Sequence, residues 1–281
     1  MQKLSNILPY FKNELKNITN EREITNFAYL TIKHILGFDV SDCILNSNYV
    51  ISPKHKNQIF DIVSNLKSHK PIQYILGETQ FFGLTMHVGK AVLIPRPETE
   101  ELVNWIIKDF KGKGNFLDIG TGSGCLIISL SKYLKGNFYG IDLSNNALRV
   151  AERNNKNHNT KVNFYHMDII NDEFDEEILF DVIVSNPPYV LNSEKRFMQK
   201  NILNYEPHIA LFVDDNDPLI YYKVIARKVK NILNKNGFLY FEINERYAKN
   251  IIDILLFEGF VNIELKKDIN DKDRMIKAMW K

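Results

Sequence analysis

A strand-like run, Phe116-Leu117-Asp118-Ile119, passes directly into Gly120-Thr121-Gly122-Ser123-Gly124 and then into an apolar helical stretch. A chain turns this tightly from strand to helix where glycines take positive φ and offer no Cβ to an approaching ligand. The surrounding pattern agrees. Short apolar runs at 115–119, 138–142, 162–166, 180–185, 237–243 and 260–265, with a last near 275–279, read as strands. Between them, residues 124–134, 145–157 and 218–233 carry helical periodicity. Such alternation predicts an α/β fold, a doubly wound, mostly parallel seven-stranded sheet of Rossmann-like type with its ligand at the carboxyl ends of the strands.

The first 70 residues read differently. Leu4, Leu8, Phe11, Leu15 and Ile18, then Ile24, Phe27, Ala28, Thr31, Ile32 and Ile35, recur at helical spacing, and Ile59, Ile62, Val63 and Leu66 continue the pattern. Gly37 is placed as a helix stop and Ser52-Pro53 as a helix start. From Thr79 the period shortens around Gly83 and Gly89, as in a β-hairpin. The expected organisation is a helical bundle over 1–70, a hairpin linker over 71–95 and a catalytic domain over 96–281.

Composition excludes several classes. With 36 basic and 34 acidic residues the net charge is +2, which leaves no large excess of positive charge to neutralise phosphates. The two cysteines, Cys43 and Cys125, lie far apart with no Cys or His at metal spacing, so no disulfide framework and no metal site is expected. The amino-terminal stretch is broken by Pro9 and studded with Lys and Asn, and no apolar run approaches the roughly 20 residues that span a bilayer. The expectation is a cytoplasmic protein with no membrane partner.

The glycine turn has the form G-x-G-x-G. Cys125 stands where the dinucleotide fingerprint needs Gly or Ala, and Asp118 lies two residues before the first glycine. This form resembles the first motif of S-adenosylmethionine-dependent methyltransferases of class I. Asp142 closes the next strand, where a carboxylate can accept both ribose hydroxyls. Asp168 follows the third strand, where the same family contacts the adenine amino group, with Ile169 able to pack on the ring. The resemblance thus implies a cofactor site of Asp118, Gly120, Thr121, Gly122, Ser123, Gly124, Asp142, Asp168 and Ile169, bordered by Asn186.

The fourth strand ends in Asn186-Pro187-Pro188-Tyr189. The prolines fix φ and remove two donors, leaving acceptors in a rigid array. The side-chain carbonyl of Asn186 and the main-chain carbonyl of Pro187 can accept both hydrogens of a planar amino group, and Tyr189 can stack on its face. Accepting those protons returns electron density to a delocalised nitrogen and stabilises the charge that develops as it attacks a sulfonium methyl. Asn186, Pro187 and Tyr189 are therefore the candidate catalytic residues, with Pro188 completing the substrate clamp.

The segment GETQFFGLTMHVGKAVLIPRPETEELV, residues 77–103, resembles the signature of the HemK family, the peptide chain release factor glutamine methyltransferases. Pro97 opens a helix there, Glu98, Glu100 and Glu101 suit its positive end, and Arg96 is placed to brace the catalytic loop and to bind substrate. Tyr205-Glu206-Pro207, Ala210-Leu211 and Asp273-Arg274 also resemble family segments. The chain departs from the family at Val213-Asp214, Asn244 and Asp271, where many members have glycine. The resemblance implies methylation of the glutamine in the Gly-Gly-Gln loop of class I release factors, docked in part by the helical domain, with S-adenosylmethionine as donor, no direct nucleic-acid contact and a monomeric enzyme.

The same clamp serves nucleic-acid adenine and guanine amino-methyltransferases, which act on a flipped base and call for a basic surface or an added recognition domain. A binding module that keeps the fold without turnover is the third reading, and it gives no physical reason for an intact clamp.

Overall fold

The computed structural model describes residues 2–174 and 177–281. The chain divides into two compact units, Met1–Gly77 with Gln199–Tyr205, and Glu78–Met198 with Glu206–Lys281.

In the first unit, α1 (Ile7–Leu15) buries Ile7, Phe11 and Leu15, one stripe at i, i+4, i+8. Helix α2 (Glu21–Leu36) starts where the Asn20 side chain accepts the Glu23 N–H at 3.0 Å and stops at Gly37, φ 73°. A reciprocal Asp39–Asp42 box opens α3 (Val40–Leu45). Ser52 caps α4 (Pro53–Lys67), with Pro53 at its first position, and α5 (Ile72–Leu76) ends at Gly77, φ 77°. Ile24, Ile32, Ile59, Val63 and Ile72 share one core with the α1 stripe.

The second unit begins with a hairpin, β1 (Glu78–Phe81) and β2 (Leu84–His87), turned by Phe82 and Gly83, both at positive φ. The expected boundaries at 70 and 95 fall elsewhere in the structure. Ile72 packs into the helical core, whereas Phe81 and Met86 pack with Leu102, Trp105 and Leu126. Side-chain burial thus assigns α5 to the first unit and the hairpin to the second.

Helix α6 (Pro97–Asp109) precedes β3 (Lys113–Ile119), α7 (Cys125–Tyr133), β4 (Lys135–Asp142), α8 (Asn145–Asn157), β5 (Val162–His166) and β6 (Phe180–Ser185). A short parallel pair follows, β7 (Val190–Leu191) with β8 (Phe212–Val213); between them lies α9 (Lys200–Tyr205), which belongs to the first unit. The chain closes with α10 (Ile220–Val229), β9 (Leu233–Glu242), α11 (Ala248–Phe257), β10 (Val261–Lys267) and β11 (Asp273–Met279). The seven-stranded sheet runs β10-β11-β9-β6-β3-β4-β5, parallel except for β11, which is antiparallel to both neighbours. This is the expected doubly wound sheet.

Strand residues alternate between two cores with the period of two that a pleated sheet imposes. Leu117, Ile183, Leu239 and Phe241 join α10 and α11 on one face, while Phe116, Val182, Val184 and Tyr240 join α6 and α7 on the other. The aromatic run at 238–241 is core strand, as expected. The register pairs Ile119 with both Ile141 and Ser185, so the strand ends that follow, those of β3, β4 and β6, open side by side.

The three departures from the family pattern have distinct local outcomes. Asp271 sits at φ 60°, the left-handed region that favours glycine. Asn244, at φ −75°, needs no glycine and donates its amide to the Tyr189 carbonyl at 3.3 Å. Val213 is buried and paired to Leu191, and Asp214 Oδ1 accepts from the Asn216 main chain and side chain.

Candidate active site

A cleft of about 200 Å³ opens at the carboxyl ends of β3, β4 and β6. Its walls include Asp118, the turn from Gly120 to Ser123, Asp142, Asp168, Ile169, and the loop from Asn186 to Pro188.

The glycine turn forms one wall. Gly120 and Gly122 have φ 76° and 55°, and a Cβ built at either meets nothing within 4 Å, so the bare main chain faces open space where a ligand can lie against it. Gly124 has a different role. It starts α7 at φ 76°, and a Cβ there would stand 2.9 Å from Ile128 Cδ1 and 3.2 Å from Ala151 Cβ, so its missing side chain lets α7 close on α8. Gly124 itself is not among the residues that line the cleft, whereas Ser123 and Cys125 on either side of it are.

Each acid is held differently. Asp118 is 2% exposed and accepts the Thr121 hydroxyl at 2.7 Å; burial, with the nearby Asp142 charge adding, raises its pKa from 3.8 to about 7. Asp142 accepts the Gly122 N–H through Oδ2 and the Ser144 N–H through Oδ1, both at 2.8 Å, and burial also raises its pKa. The strand-end carboxylate therefore ties the glycine turn to the start of α8. Burial works against charge on Asp168 as well, but the Ile170 N–H at 2.9 Å and the Asn171 amide at 2.7 Å outweigh it and lower the pKa.

In the loop after β6, Asn186 donates Nδ2–H to Thr99 Oγ1 at 3.4 Å, and Thr99 donates its hydroxyl to Glu242 Oε2 at 2.6 Å. The Tyr189 hydroxyl donates to Glu242 Oε1 at 3.2 Å, and Tyr189 packs against the core. Tyr189 is half-buried, and its hydroxyl bond to Glu242 braces the end of the loop. Burial raises the pKa of both Tyr189 and Glu242. Arg96 lines the cleft, but its charge is committed to Glu206 Oε1 at 2.7 Å, while Glu206 Oε2 accepts the Ile94 N–H at 3.2 Å. Cys125 borders the same cleft with its thiol pushed up to about 12 by burial, which makes it a poor nucleophile.

The glutamates of α6 do more than complement its positive end. Glu100 accepts the Phe82 N–H at the hairpin turn and Glu101 the Ile269 N–H, at 2.9 and 3.0 Å. Thr99, Glu206 and Glu242 are site residues that reading the sequence passed over. Thr99 and Glu206 stand inside runs quoted for the family resemblance, yet the side-chain pairs that the three residues form lie 53 to 143 residues apart and leave no local spacing to detect.

The donor set fits S-adenosylmethionine. Bare glycine backbone, a strand-end carboxylate with lone pairs remaining for ribose hydroxyls, and an apolar Ile169 together suit a ligand with a ribose, a flat base and cationic groups.

A family model described as Methyltransferase small domain matches residues 98–209, and one described as PrmC N-terminal domain matches residues 6–77. The chain is 44% identical over 284 residues to the release factor glutamine methyltransferase of Flavobacterium psychrophilum, with 99% of each chain covered. It is 37% identical over 276 residues to the protein of the same description from Bacteroides thetaiotaomicron, covering 98% of this chain and 99% of that one. Among solved structures, a methyltransferase from Pyrococcus furiosus superposes with a TM-score of 0.53 at 17% identity, over 81% of this chain and 98% of that one, a likeness of fold.

Proposed function

The chain belongs to the family of release factor glutamine methyltransferases, and from that premise we propose that it methylates the side-chain amide of the glutamine in the Gly-Gly-Gln loop of class I release factors. The enzyme is a protein-glutamine N-methyltransferase and its methyl donor is S-adenosylmethionine. The observation that carries the reading is that Asn186, Pro187 and Pro188 of the acceptor loop line the same cleft as the glycine turn.

The bound cofactor supplies an electrophilic sulfonium methyl. Asp142 and Asp168 would hold its ribose and base, Ile169 would pack on the base, and the bare main chain of Gly120 and Gly122 would admit the remainder. Asn186 Oδ1 and the Pro187 carbonyl accept the two amide hydrogens of the incoming glutamine, while Pro187 and Pro188 keep those acceptors rigid. Their bonds strengthen as positive charge grows on nitrogen, so they stabilise the transition state more than the ground state. The N–C bond forms as the S–C bond breaks, and one amide proton is released to water. Arg96, held by Glu206, fixes the edge of the clamp.

The helical unit docks the release factor. Among the described residues none that lines the cleft falls within it, which supports a role in recognition. Under this reading the enzyme works in the cytoplasm as a monomer without nucleic-acid contact, consistent with a net charge of +2 and with the finding that no helix among the described residues is long and apolar enough to cross a membrane. A chain starting at Glu78, with Gln199–Tyr205 replaced by a short linker, should bind cofactor and methylate a Gly-Gly-Gln peptide while modifying whole release factor poorly. Equal turnover on the whole factor would remove the docking role. Mass spectrometry of release factors incubated with the enzyme and labelled cofactor tests the reaction itself. Label on a nucleic acid and none on the glutamine would replace it.

A further inference from the structure

A carboxamide has a donor end and an acceptor end of nearly the same shape, and a half-turn exchanges them. Asn186 helps an amide nitrogen react only with Oδ1 toward the substrate; turned about, its NH₂ would face the substrate's own NH₂. Something behind the side chain must therefore set its direction.

We infer that Thr99 and Glu242 are positioning residues that fix which end of Asn186 faces the cleft, an inference that rests on the function proposed above. Thr99 has a single hydroxyl proton, and it lies on the 2.6 Å bond to Glu242 Oε2. An ionised carboxylate accepts only, so the Thr99 oxygen shows Asn186 a lone pair. The NH₂ end of Asn186 fills that place at 3.4 Å, which turns Oδ1 the other way. The other oxygen of the same carboxylate takes the Tyr189 hydroxyl at 3.2 Å, so one side chain holds both ends of the four-residue loop. The position of Glu242 is fixed in turn, because its main-chain carbonyl accepts the Tyr222 hydroxyl at 3.1 Å. Thr99 and Glu242 are 4% and 1% exposed. A buried carboxylate is a costly way to fill space, whereas an acceptor-only terminus gives a hydrogen-bond chain its direction.

The test is a mutant cycle on the full chain, with cofactor and a Gly-Gly-Gln peptide as substrates. Thr99→Val keeps the volume and removes the hydroxyl; kcat should fall about 10-fold or more, as expected for a misplaced reacting group, with peptide KM and cofactor affinity within about threefold of the parent. Thr99→Ser restores the hydroxyl and should recover most of the loss. Because Thr99 acts through Asn186, adding Thr99→Val to Asn186→Ala should slow the reaction no further. Glu242→Gln offers a second route should Thr99→Val not fold, since a carboxamide both donates and accepts; its kcat loss should likewise vanish in the Asn186→Ala background.

Losses that multiply in the double variants, or equal losses in the Val and Ser variants, would overturn the positioning role and leave the methyltransferase reading standing. Unchanged turnover in Asn186→Ala alone would overturn the positioning role together with the charge-stabilising role of Asn186, and would leave the methyltransferase assignment standing.

Discussion

The two walls of the cleft are built on different scales of the chain. On the cofactor side, the bonds that shape the site close over short distances: Thr121 to Asp118 spans three residues, Ser144 to Asp142 two, and Gly122 to Asp142 twenty. On the acceptor side, Asn186 reaches Thr99 across 87 residues, Arg96 reaches Glu206 across 110, and Thr99 reaches Glu242 across 143. The first wall belongs to consecutive strand-turn-helix units. The second exists only once α6, β6 and β9 have assembled, so its geometry depends on the packing of the whole unit. Binding of cofactor should therefore tolerate distant mutations better than turnover does.

The largest effect expected lies on the acceptor wall. Asn186→Ala should lower kcat about 10²- to 10³-fold, as removal of one preorganised group at a developing charge typically does, with cofactor affinity nearly unchanged. Steady-state kinetics checks it, and a rise in KM alone would reduce the residue to binding substrate. On the cofactor wall, Asp142→Ala should weaken S-adenosylmethionine binding by roughly 2 to 4 kcal/mol, through lost charge-assisted bonds to ribose and the release of Gly122 and Ser144. Calorimetry that finds the affinity intact would remove Asp142 from the site.

A smaller effect follows from Asp118, whose pKa is raised from 3.8 to about 7. Between those values the folded protein holds a proton that the unfolded chain has lost, so stability of the cofactor-free enzyme should fall as pH rises through that window. A cationic ligand favours the ionised carboxyl, so cofactor binding should release a proton and its affinity should drop roughly tenfold between pH 8 and pH 6. Titration calorimetry in buffers of different ionisation enthalpy reads that proton, and Asp118→Asn should abolish its release. Gly124→Ala, which forces a Cβ to 2.9 Å from Ile128 at positive φ, should destabilise the fold by about 1 to 3 kcal/mol and lower the thermal midpoint by several degrees. The smallest effect is expected from Asn244→Gly, which removes a 3.3 Å bond to the Tyr189 carbonyl and an exposed 3.1 Å cap on the Arg246 N–H; kcat should change by about threefold or less, a net hydrogen bond being worth around 1 kcal/mol.

The same difference in scale governs what the amino-acid sequence discloses. Strand-helix alternation, the glycine turn and the strand-end acids are matters of spacing, and the sheet and the cofactor wall were legible from them. The acceptor loop was legible as a rigid array because its prolines stand side by side. Its support was not. Nothing in Thr99 marks it as the neighbour of Glu242, and Glu206 carries no local sign that it will bury itself against Arg96. Tyr189 shows the limit most plainly, since its type suits stacking while its hydroxyl is drawn to Glu242 on the inner side of the loop. The boundary of the helical unit was misplaced for a related reason, because the burial of Phe81 and Met86 depends on partners at 102–126.

The assignment of Gln199–Tyr205 to the helical unit bears on the order in which the newborn chain acquires its structure. The ribosome delivers the first 77 residues early, but the Ser68 carbonyl waits for the Tyr205 hydroxyl, 137 residues downstream and 2.8 Å away in the finished protein. Loop-closure entropy grows only slowly with length, so the delay is one of synthesis time more than of free energy. At around 5 to 20 residues per second, the helical bundle spends on the order of ten seconds without its last helix. During that interval the nascent unit must stand on the core formed by α1, α2, α4 and α5, and a truncated chain that stops before Gln199 should reveal how well it does so.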